Sequence, residues 1–415
     1  MSKTFHIITL GCKLNKYESD CMASVLMNNG YELITEFDRA DLYIINSCAV
    51  TAESEKKSRQ YVTKCLKLNP SAKIIVCGCA SQNNVEQFRN KQNVFSVFGN
   101  IGKDNILHYV DNSVFEVRDF PESYDNLQNP HNTQTRAYLK VQDGCNNFCS
   151  YCLIPYLRGR TRSRALCECV KEGEILAATC KEIVLTGIDL SSYSPSLIEL
   201  LEGLAHLPCR IRLGSLEVGV VTPDFMERLS KIKNFCPHFH LSLQSGCDSV
   251  LRRMNRHYTA SEYLEKVQLI RKYFPLANIT TDVIVGFAGE TEDEFNTTAE
   301  FVKTIGFGGV HVFPYSRREG TVASKVYADS VSNKEKNDRV NKLKSIARDC
   351  FVNYINLVKG SICSVLTEDE ENGFTVGYSE NYIKVYLPKE TPKNTIYKVK
   401  IIEIFNDGVK GGIYG

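Results

Sequence analysis

The order of apolar and polar residues predicts an α/β domain at the start of the chain. Residues 1–125 alternate short apolar runs with segments whose apolar positions recur at helical spacing. We predict strands at residues 5–10, 41–47, 73–78 and 94–98, and helices at residues 16–28 and 52–68. Because strands that alternate with helices are typical of a parallel sheet covered on both faces, residues 1–125 are predicted to form a small doubly wound domain.

The same alternation continues at a larger scale over residues 136–358, after a polar segment at residues 126–135 that we interpret as a linker. Strands are predicted at residues 137–141, 182–185, 211–214, 238–243, 280–285 and 310–314, and helices at 167–179, 261–272, 292–304 and 332–357. Six strand–helix units make a partial (β/α)6 barrel, whose ligand-binding groups are expected at the carboxyl ends of its strands.

Residues 359–415 consist of short segments in which apolar and polar residues alternate, with Gly, Asn and Pro between them. This pattern predicts strands and turns, and therefore a small antiparallel β-barrel. A barrel of this size is compatible with oligonucleotide binding but does not identify a function.

Composition and charge restrict the class of protein. The 415 residues are 43% apolar and 24% charged, as in soluble proteins with several domains. Neither a transmembrane helix nor a signal peptide is predicted, so we expect no membrane partner. The 17 cysteines then indicate a cytoplasmic protein with metal-bound thiolates. The net charge of +2 argues against a globally basic nucleic-acid binder but permits a local basic site.

Three cysteines, Cys145, Cys149 and Cys152, follow the first predicted strand of the central region within a few residues. Three thiolates suit a cubane iron–sulfur cluster with one open iron, at which a cofactor or substrate can bind. The alternatives fit less well: zinc sites usually have four ligands in two pairs, and a reducing compartment disfavours disulfides. The spacing therefore predicts a catalytic cluster.

Three further cysteines, Cys12, Cys48 and Cys79, each follow a predicted strand of the first domain. The carboxyl ends of neighbouring parallel strands meet at one edge of a sheet, so these residues can converge there. Cysteine is also common in buried strand ends, and the pattern alone leaves a second metal site and coincidence equally open. Cys77 competes with Cys79, although Gly78 would allow the tight turn that exposes Cys79.

The central cysteine run, with Tyr151 before its last cysteine, resembles the signature of the radical S-adenosylmethionine (radical-SAM) superfamily. The segments that resemble radical-SAM methylthiotransferases extend over essentially the whole chain: residues 9–19, 46–54, 77–82, 159–164, 185–189, 212–217, 240–246, 281–287 and 313–321, and a final barrel similar to the TRAM domain. Ser47, Gly214 and Ala288 depart from the usual Thr, Ser and Pro, but these are small or loop changes.

Within that family, the segment Cys12-Lys-Leu-Asn and residues 49–60 resemble the branch that acts on N6-threonylcarbamoyladenosine in tRNA. The resemblance implies insertion of sulfur and a methyl group at C2 of this adenosine, 3′ of the anticodon. It implies two 4Fe–4S clusters, one on Cys145, Cys149 and Cys152 and one on Cys12, Cys48 and Cys79. Two S-adenosylmethionine molecules would be used per turnover, one as methyl donor and one as radical source.

The implied partners are tRNA, a one-electron reductase such as flavodoxin or ferredoxin, and a sulfur donor that the sequence does not disclose. Tyr151, Thr186, Gly187, Glu217 and Gln244 are predicted to contact S-adenosylmethionine, and a structural cap is the alternative for the last two. A glycine at the end of a strand would let the backbone approach the methionyl amine of the cofactor.

Basic residues in two places are predicted to bind substrate. Arg158, Arg160 and Arg162 alternate after the cysteine run and suit a carboxylate or the tRNA backbone, with an ion-paired face as the alternative. Because the last domain is not basic overall, tRNA contact there would need a local lysine patch that includes Lys384 and Lys398, with Tyr382 or Tyr386 to stack on bases.

Two other functions stay open on the sequence. One is a related enzyme that modifies isopentenyladenosine in tRNA or an aspartate of a ribosomal protein. The other is a non-catalytic iron–sulfur or zinc module that binds RNA. Iron content and cleavage of S-adenosylmethionine separate the enzyme from the module.

Overall fold

The computed structural model describes residues 3–124, 127, 130–131 and 135–414. Much of the segment predicted as a linker at 126–135 lies outside the described residues. Within the described part of the chain, no helix is both long and apolar enough to cross a membrane.

The N-terminal part is a six-stranded parallel sheet with strand order β2-β1-β3-β4-β5-β6. Alternate residues of its central strand β3 pack into separate apolar clusters on the two faces, Leu42 and Ile44 on one and Tyr43 and Ile45 on the other. The doubly wound arrangement is confirmed. The elements are β1 (Thr4–Thr9), α1 (Lys13–Asn28), β2 (Glu32–Leu33), β3 (Leu42–Ser47), α2 (Ala52–Leu68), β4 (Lys73–Gly78), α3 (Cys79–Asn83), α4 (Glu86–Arg89), β5 (Val94–Phe98), α5 (Ile106–Asp111) and β6 (Phe115–Glu116).

Helix α1 begins at Lys13, three residues before the start that apolar periodicity predicts. Its first turn is polar but is held by tertiary hydrogen bonds that periodicity does not include. The Asn15 side-chain amide donates to the carbonyl of Leu10 at 2.7 Å and to that of Ser47 at 3.1 Å. The helix therefore starts immediately after Cys12.

The central part is the predicted six-strand partial barrel, with one difference. Its third strand is broken at Gly214, which separates β11 from β12 and divides the barrel into sheets of order β11-β10-β7 and β12-β13-β14-β15. The Gly214 N–H bonds the carbonyl of Leu185 at 2.9 Å, and a Cβ there would lie only 3.0 Å from that oxygen. The strands are β7 (Arg136–Lys140), β8 (Gln142–Asp143), β9 (Arg162–Ser163), β10 (Glu182–Thr186), β11 (Arg210–Leu213), β12 (Ser215–Leu216), β13 (His238–Leu241), β14 (Asn278–Val285) and β15 (Gly309–Pro314).

Helices cover the outside of this barrel, and a large apolar cluster lies between them and the strands. The helices that contribute to this cluster are α7 (Leu166–Ala177), α8 (Leu197–Leu204), α9 (Pro223–Leu229), α11 (Ala260–Tyr273), α12 (Glu292–Ile305) and α14 (Asn333–Val358). The central part also contains α6 (Ile154–Arg158), α10 (Asp248–Arg253) and α13 (Val322–Val326).

The C-terminal part is a closed barrel of order β16-β17-β18-β20-β19. Its pairs are antiparallel except β18 with β20, which is parallel. An antiparallel barrel was expected, but strands cannot alternate in direction around a closed ring of five, so one parallel pair is unavoidable. The strands are β16 (Ile362–Glu371), β17 (Phe374–Ser379), β18 (Lys384–Pro388), β19 (Ile396–Phe405) and β20 (Gly408–Ile413).

This small barrel closes the amino end of the central barrel. Glu182, the first residue of β10, binds Arg136 at 3.1 Å, Arg210 at 2.7 Å and Arg212 at 2.8 Å. The guanidinium of Arg212 also donates to the carbonyls of Ser379 and Glu380 in the small barrel. The carboxyl ends of the strands, where the cysteine run lies, are therefore left as the open end.

Glu182→Gln removes the anion that three guanidinium groups share. We expect it to lower the free energy of unfolding by about 3–5 kcal/mol at neutral pH, because breaking a buried ion pair leaves uncompensated charge. Chemical denaturation measures the loss. Glu202→Gln is the matched control, since Glu202 binds Arg228 at 2.7 Å on the surface, where such a pair contributes about 0–1 kcal/mol. Equal losses of unfolding free energy in the two variants would contradict the conclusion that Glu182 is the buried centre of this group of arginines.

The difference in the free energy of unfolding between wild type and Glu182→Gln is predicted to depend on pH. Burial alone would raise the pKa of Glu182, but the neighbouring Arg212, Arg136 and Arg210 lower it to about 2. A depressed carboxyl pKa stabilises the fold fully above the unfolded pKa of about 4.3 and loses that effect as the pH falls toward 2. The difference between wild type and Glu182→Gln should therefore be constant above about pH 5 and shrink in acid.

Candidate active site

The cysteine run lies on a tight loop after β8, at the open end of the central barrel. Gly144 begins the loop at φ +74°, and a Cβ there would lie 1.9 Å from the carbonyl oxygen of Arg160. The backbone N–H groups of Asn147 and Ile154 each point at a cysteine sulfur, at 3.4 Å from Cys145 and 3.4 Å from Cys152. Hydrogen bonds to sulfur favour the thiolate form and tune a bound cluster.

The sulfur of Cys149, the middle cysteine of the run, is contacted by Arg256. The guanidinium lies 3.2 Å from Cys149 Sγ and also forms an ion pair with Glu217. These residues line a cavity of about 340 Å³ together with Tyr258 and Asn147. Burial raises the pKa of the Glu217 carboxyl, and the positive charge of Arg256 opposes that shift. Glu217 therefore faces the cysteine run, as its position at a strand end predicts.

Sequence reasoning missed Arg256. The available signal was the basic and aromatic stretch from Arg252 to Tyr258, which follows the fourth barrel strand and includes His257.

Thr186 ends strand β10 and Gly187 follows it, beside the cysteine loop. The side chain of Gln142 packs against Gly187, where a Cβ would lie 2.8 Å from its Oε1 atom. Gln142 Nε2 in turn donates to the carbonyl of Gly144 at 2.6 Å, and its Oε1 accepts from the N–H of Asp189 at 2.8 Å. The absence of a side chain at residue 187 therefore lets Gln142 hold the cysteine loop.

Cys12, Cys48 and Cys79 come together at the carboxyl edge of the N-terminal sheet. Burial makes the largest contribution to the raised pKa of the Cys48 thiol, and the thiols of Cys79 and Cys12 raise this pKa further. Gly11, at φ +97°, approaches Cys48 so closely that a Cβ would lie 2.6 Å from its sulfur. The amide of Asn100 lies 3.6 Å from Cys79 Sγ. Three thiols form a donor set that suits an iron–sulfur cluster.

Cys77 does not belong to this set. Its side chain lies in an apolar cluster on one face of the sheet, and burial raises the pKa of its thiol to about 12. A buried thiol of this kind is inert. Of the two cysteines that the sequence left in competition, Cys79 is the one that faces Cys12 and Cys48.

A cavity of about 510 Å³, within the usual size of a ligand pocket, is lined by Cys152 of the cysteine run and by the segment that follows Cys48. One wall is Ala49, Val50 and Thr51, which directly follow Cys48. The opposite walls belong to the cysteine run and the barrel: Tyr151, Cys152, Leu153, Gln244, Asp282, Ile284, Phe313 and Tyr315. Tyr151 and Gln244, both predicted site residues, therefore line this cavity.

A network of buried charges lies behind both sets. Glu18 of α1 binds Arg158 and Lys103, and it binds Lys140 at 3.1 Å. Asp143 binds Lys140 at 2.8 Å and Arg158 at 3.2 Å. Two carboxylates thus meet three cations. The charge of Arg158 lowers the pKa of the Cys12 thiol, although burial raises it overall.

The prediction that Arg158 and Arg162 bind substrate is corrected by these contacts. Arg158 is 1% exposed and Arg162 6% exposed, so neither guanidinium reaches a surface on which tRNA could lie. Arg162 donates to the backbone carbonyls of Arg158 and Arg160 and lies 4.0 Å from the carboxylate of Asp143. The alternative interpretation, in which these arginines form ion pairs within the protein, therefore applies to Arg158 and Arg162. Arg160 is exposed, with its guanidinium 4.4 Å above the ring of Phe148.

The predicted patch on the C-terminal barrel is also corrected in part. Lys384 is neutralised by Glu371 at 2.7 Å and Asp407 at 3.0 Å, whereas Lys398 is exposed. Tyr382 stacks on His238 at the junction of the two barrels, with ring centroids 4.8 Å apart. Tyr386 is 1% exposed and contacts Asp407. Neither tyrosine is available to stack on a base.

Comparisons with known proteins agree with this arrangement. The model of the Uncharacterized protein family UPF0004 matches residues 4–99, and that of the Radical SAM superfamily matches residues 139–302. The Threonylcarbamoyladenosine tRNA methylthiotransferase MtaB of Bacillus subtilis is 36% identical over 97% of this chain and 95% of its own length. That of Thermotoga maritima is 38% identical, over 92% of this chain and 91% of its own.

The chain belongs to the radical-SAM methylthiotransferase family. A further relative, the tRNA-2-methylthio-N(6)-dimethylallyladenosine synthase of Thermodesulfovibrio yellowstonii, is 32% identical over 99% of both chains. The enzyme therefore carries the 4Fe–4S cluster and uses the S-adenosylmethionine that define radical-SAM proteins. Its cysteine run has the donor set that such a cluster requires.

Solved structures support the fold alone. The radical S-adenosylmethionine methyltransferase TsrM of Kitasatospora setae superposes with a TM-score of 0.58 at 14% identity, over 78% of this chain and 77% of its own. The cobalamin-dependent S-adenosylmethionine radical enzyme OxsB gives a TM-score of 0.55 at 11% identity, over 84% of this chain and 56% of its own.

Gly144→Ala tests the geometry of the cysteine loop in this methylthiotransferase. A methyl group would collide with the Arg160 carbonyl, so the loop must move and the cluster geometry is lost. We expect the rate at which 5′-deoxyadenosine forms from S-adenosylmethionine, after chemical reduction, to fall by about a hundredfold. A displacement of reacting groups by about 1 Å can cost that much in rate. Gly289→Ala is the control, because Gly289 has φ +73° but nothing within 4 Å of its Cβ position. Equal losses in the two variants would attribute the effect to backbone strain alone.

Proposed function

We propose that this enzyme is a tRNA N6-threonylcarbamoyladenosine-C2-methylthiotransferase. It would replace the C2 hydrogen of the adenosine 3′ of the anticodon with a methylthio group. The observation that carries the proposal is the cavity of about 510 Å³ that is lined both by Cys152 and by the segment that follows Cys48. Support for the substrate comes from the relatives named for it at 36% and 38% identity over nearly the full chain.

The domain roles follow from this proposal. Residues 1–125 would hold the second cluster, residues 136–358 would form the radical-SAM core, and residues 359–415 would be the TRAM domain. The sheet at the start, the partial barrel and the closed barrel support this division.

Cys12, Cys48 and Cys79 would hold a second 4Fe–4S cluster. The donor set fits, and so does the charge around it, because two carboxylates face the three cations Lys103, Lys140 and Arg158. An excess of buried positive charge favours thiolates and an anionic group beside them. With two S-adenosylmethionine molecules per turnover, the clusters and cofactor would supply radical cleavage, sulfur and the methyl group.

The protein's own residues would bind, orient and exclude water. Glu217 and Arg256 form the wall beside Cys149, and Gln142 holds the cysteine loop against Gly187. Tyr151, Thr186, Gly187, Glu217 and Gln244 are the proposed cofactor contacts. The cavity lined by Cys152 and by the segment after Cys48 would hold the reacting carbon near both cysteine sets, which is the positional requirement of a two-site reaction.

The remaining roles concern partners. Arg160 and Lys398 are exposed cations and are the proposed contacts to the tRNA backbone among the predicted ones. A one-electron reductase such as flavodoxin or ferredoxin would supply electrons, and a separate donor would supply sulfur. Dependence on tRNA and on free thiolates supports a cytoplasmic location.

Nucleoside mass spectrometry of tRNA tests the substrate. The chain, expressed in a bacterial strain that makes threonylcarbamoyladenosine but lacks its methylthiotransferase, should convert it to the methylthio derivative. The comparison sample is the same strain with Cys149→Ala, which should show no conversion. If a methylthio group arises on isopentenyladenosine instead, the proposed substrate is wrong.

Cys79→Ala, compared with Cys77→Ala, tests the second cluster. The two residues are separated by one glycine, but only Cys79 faces the other two thiols. After anaerobic reconstitution we expect about eight irons per chain in wild type and in Cys77→Ala, and about four in Cys79→Ala. The Cys79→Ala variant should still cleave S-adenosylmethionine but form no methylthio product. A full iron content in that variant would exclude the assignment.

A further inference from the structure

Two histidines and an aspartate come together on three neighbouring strands of the central barrel. His240 is on β13, Asp282 on β14 and His311 on β15. Asp282 and His311 are direct partners in the parallel pairing of β14 with β15, and His240 pairs with Thr280, two residues before Asp282. One ligand atom of each of the three side chains lies within 4.8 Å of those of the other two. Strand pairing therefore holds three side chains that can ligate a metal close to one another.

This group borders the cavity of about 510 Å³ that Cys152 also lines. Asp282 lines the cavity itself, and so do Ile284 and Phe313, which follow Asp282 and His311 by two residues. Because residues two apart in a strand point to the same face of a sheet, His311 is on the cavity face of β15. His311 is also exposed, which gives an ion in solution a path to the group.

The imidazole of His240 is oriented as a metal ligand would be. Its Nδ1 atom and the hydroxyl of Thr280 are hydrogen-bond partners at 3.0 Å, and its Nε2 atom lies 3.3 Å from the Asp282 carboxylate. A hydrogen bond to the second ring nitrogen fixes the ring of a metal-bound imidazole in the same way. Two ligands of one tetrahedral zinc ion, each about 2.0–2.2 Å from the metal, are separated by roughly the distance between His240 Nε2 and Asp282.

The donor set indicates which class of ion would bind. Two imidazoles and one carboxylate are typical ligands of Zn²⁺ and Fe²⁺ in sites that keep coordination positions open. Ca²⁺ and Mg²⁺ prefer sites made of oxygen ligands. Since the three side chains project from one face of the sheet, the open positions of an ion bound to them are on the cavity side.

We propose that His240, Asp282 and His311 bind a divalent transition-metal ion such as Zn²⁺, whose open positions take oxygen ligands from the substituent of the substrate adenosine. The second half of this inference rests on the proposed function and deepens it. A threonylcarbamoyl group carries a carboxylate and a hydroxyl, which ligate such an ion, whereas an isopentenyl group has no ligand atom. Without the ion, the charge of Asp282 repels a carboxylate in the cavity. A bound dication reverses the sign of the local charge, and the site then selects the substrate that coordinates it.

Zinc binding to the reconstituted enzyme tests the metal site. The enzyme, with its iron–sulfur content in place, is dialysed to equilibrium against Zn²⁺, and elemental mass spectrometry gives zinc and iron per chain. Wild type should bind about one zinc ion more than His311→Ala or Asp282→Asn, with the same iron content. X-ray absorption at the zinc edge should show nitrogen and oxygen ligands at about 2.0–2.2 Å, whereas zinc on thiolates would have sulfur ligands at about 2.3 Å.

His206→Ala is the matched control. His206 lies 3.2 Å from Glu174 on the surface, so it forms a histidine–carboxylate pair of similar length, and among the described residues no third ligand completes that pair. This variant should bind as much zinc as wild type. Equal zinc contents in wild type and His311→Ala, or sulfur ligands around the zinc in wild type, would overturn the inference and leave His240 and Asp282 as a hydrogen-bonded pair.

Selection of the substrate has its own readout. Fluorescence anisotropy compares zinc-free and zinc-loaded enzyme, without reductant, for binding of anticodon stem-loops that carry threonylcarbamoyladenosine or isopentenyladenosine. Zinc should raise the affinity of wild type for the threonylcarbamoyl stem-loop by about tenfold or more, the effect of one charged interaction, and leave the affinity for the other stem-loop unchanged. In His311→Ala, zinc should change neither affinity. An equal effect of zinc on both stem-loops in wild type would contradict the selection.

The outcomes separate the inference from the proposed function. If zinc binds to the three residues but changes neither affinity, the role in selection is wrong, although the proposed function stands. If wild type forms no methylthio product from the threonylcarbamoyl stem-loop after reduction, the proposed function fails and the role in selection fails with it. The zinc contents of wild type, His311→Ala and Asp282→Asn still decide whether the metal site exists.

Discussion

The two-site arrangement depends on the ion pairs of the buried Glu18 carboxylate. Glu18 belongs to the N-terminal sheet domain, yet two of its three cationic partners, Lys140 and Arg158, belong to the central barrel. Those residues flank the cysteine run in sequence, and Glu18 itself lies on the helix that begins after Cys12. Breaking such a pair leaves charges in a medium of low dielectric, which is strongly unfavourable. The network therefore holds the two cysteine sets in one relative position.

That fixed position determines what the cavity can do. Its walls come from the segment after Cys48, the cysteine run and the carboxyl ends of barrel strands. Neither half of the protein encloses this space alone. The network contains three cations, Lys103, Lys140 and Arg158, for two carboxylates. Burial raises the pKa of Cys12, and the charge of Arg158 opposes that shift. The same residues therefore connect the domains and favour the thiolates at the second site.

The opposite end of the barrel is organised by a second carboxylate, Glu182, with three arginines around it. Aromatic residues of the C-terminal barrel complete this junction, and Tyr382 lies between His238 and Tyr378. Residues that the sequence offered for tRNA binding are used here to attach one domain to another. The exposed face of the small barrel that includes Lys398 is what is left for a nucleic acid.

Local patterns determined much of this protein without a structure. Helix and strand periods predicted four of the six strands of the N-terminal sheet and the six strands of the barrel to within a few residues, because those periods depend on neighbours along the chain. The two-residue strands β2 and β6 are too short to show a period. The spacing of Cys145, Cys149 and Cys152 predicted their shared chemistry for the same reason. Tertiary structure alone buried Arg158 and brought Arg256 to Cys149. Their partners lie far away in sequence, Arg158 being 140 residues from Glu18. A charged side chain has no periodicity that reveals a distant partner, so its role is set by packing.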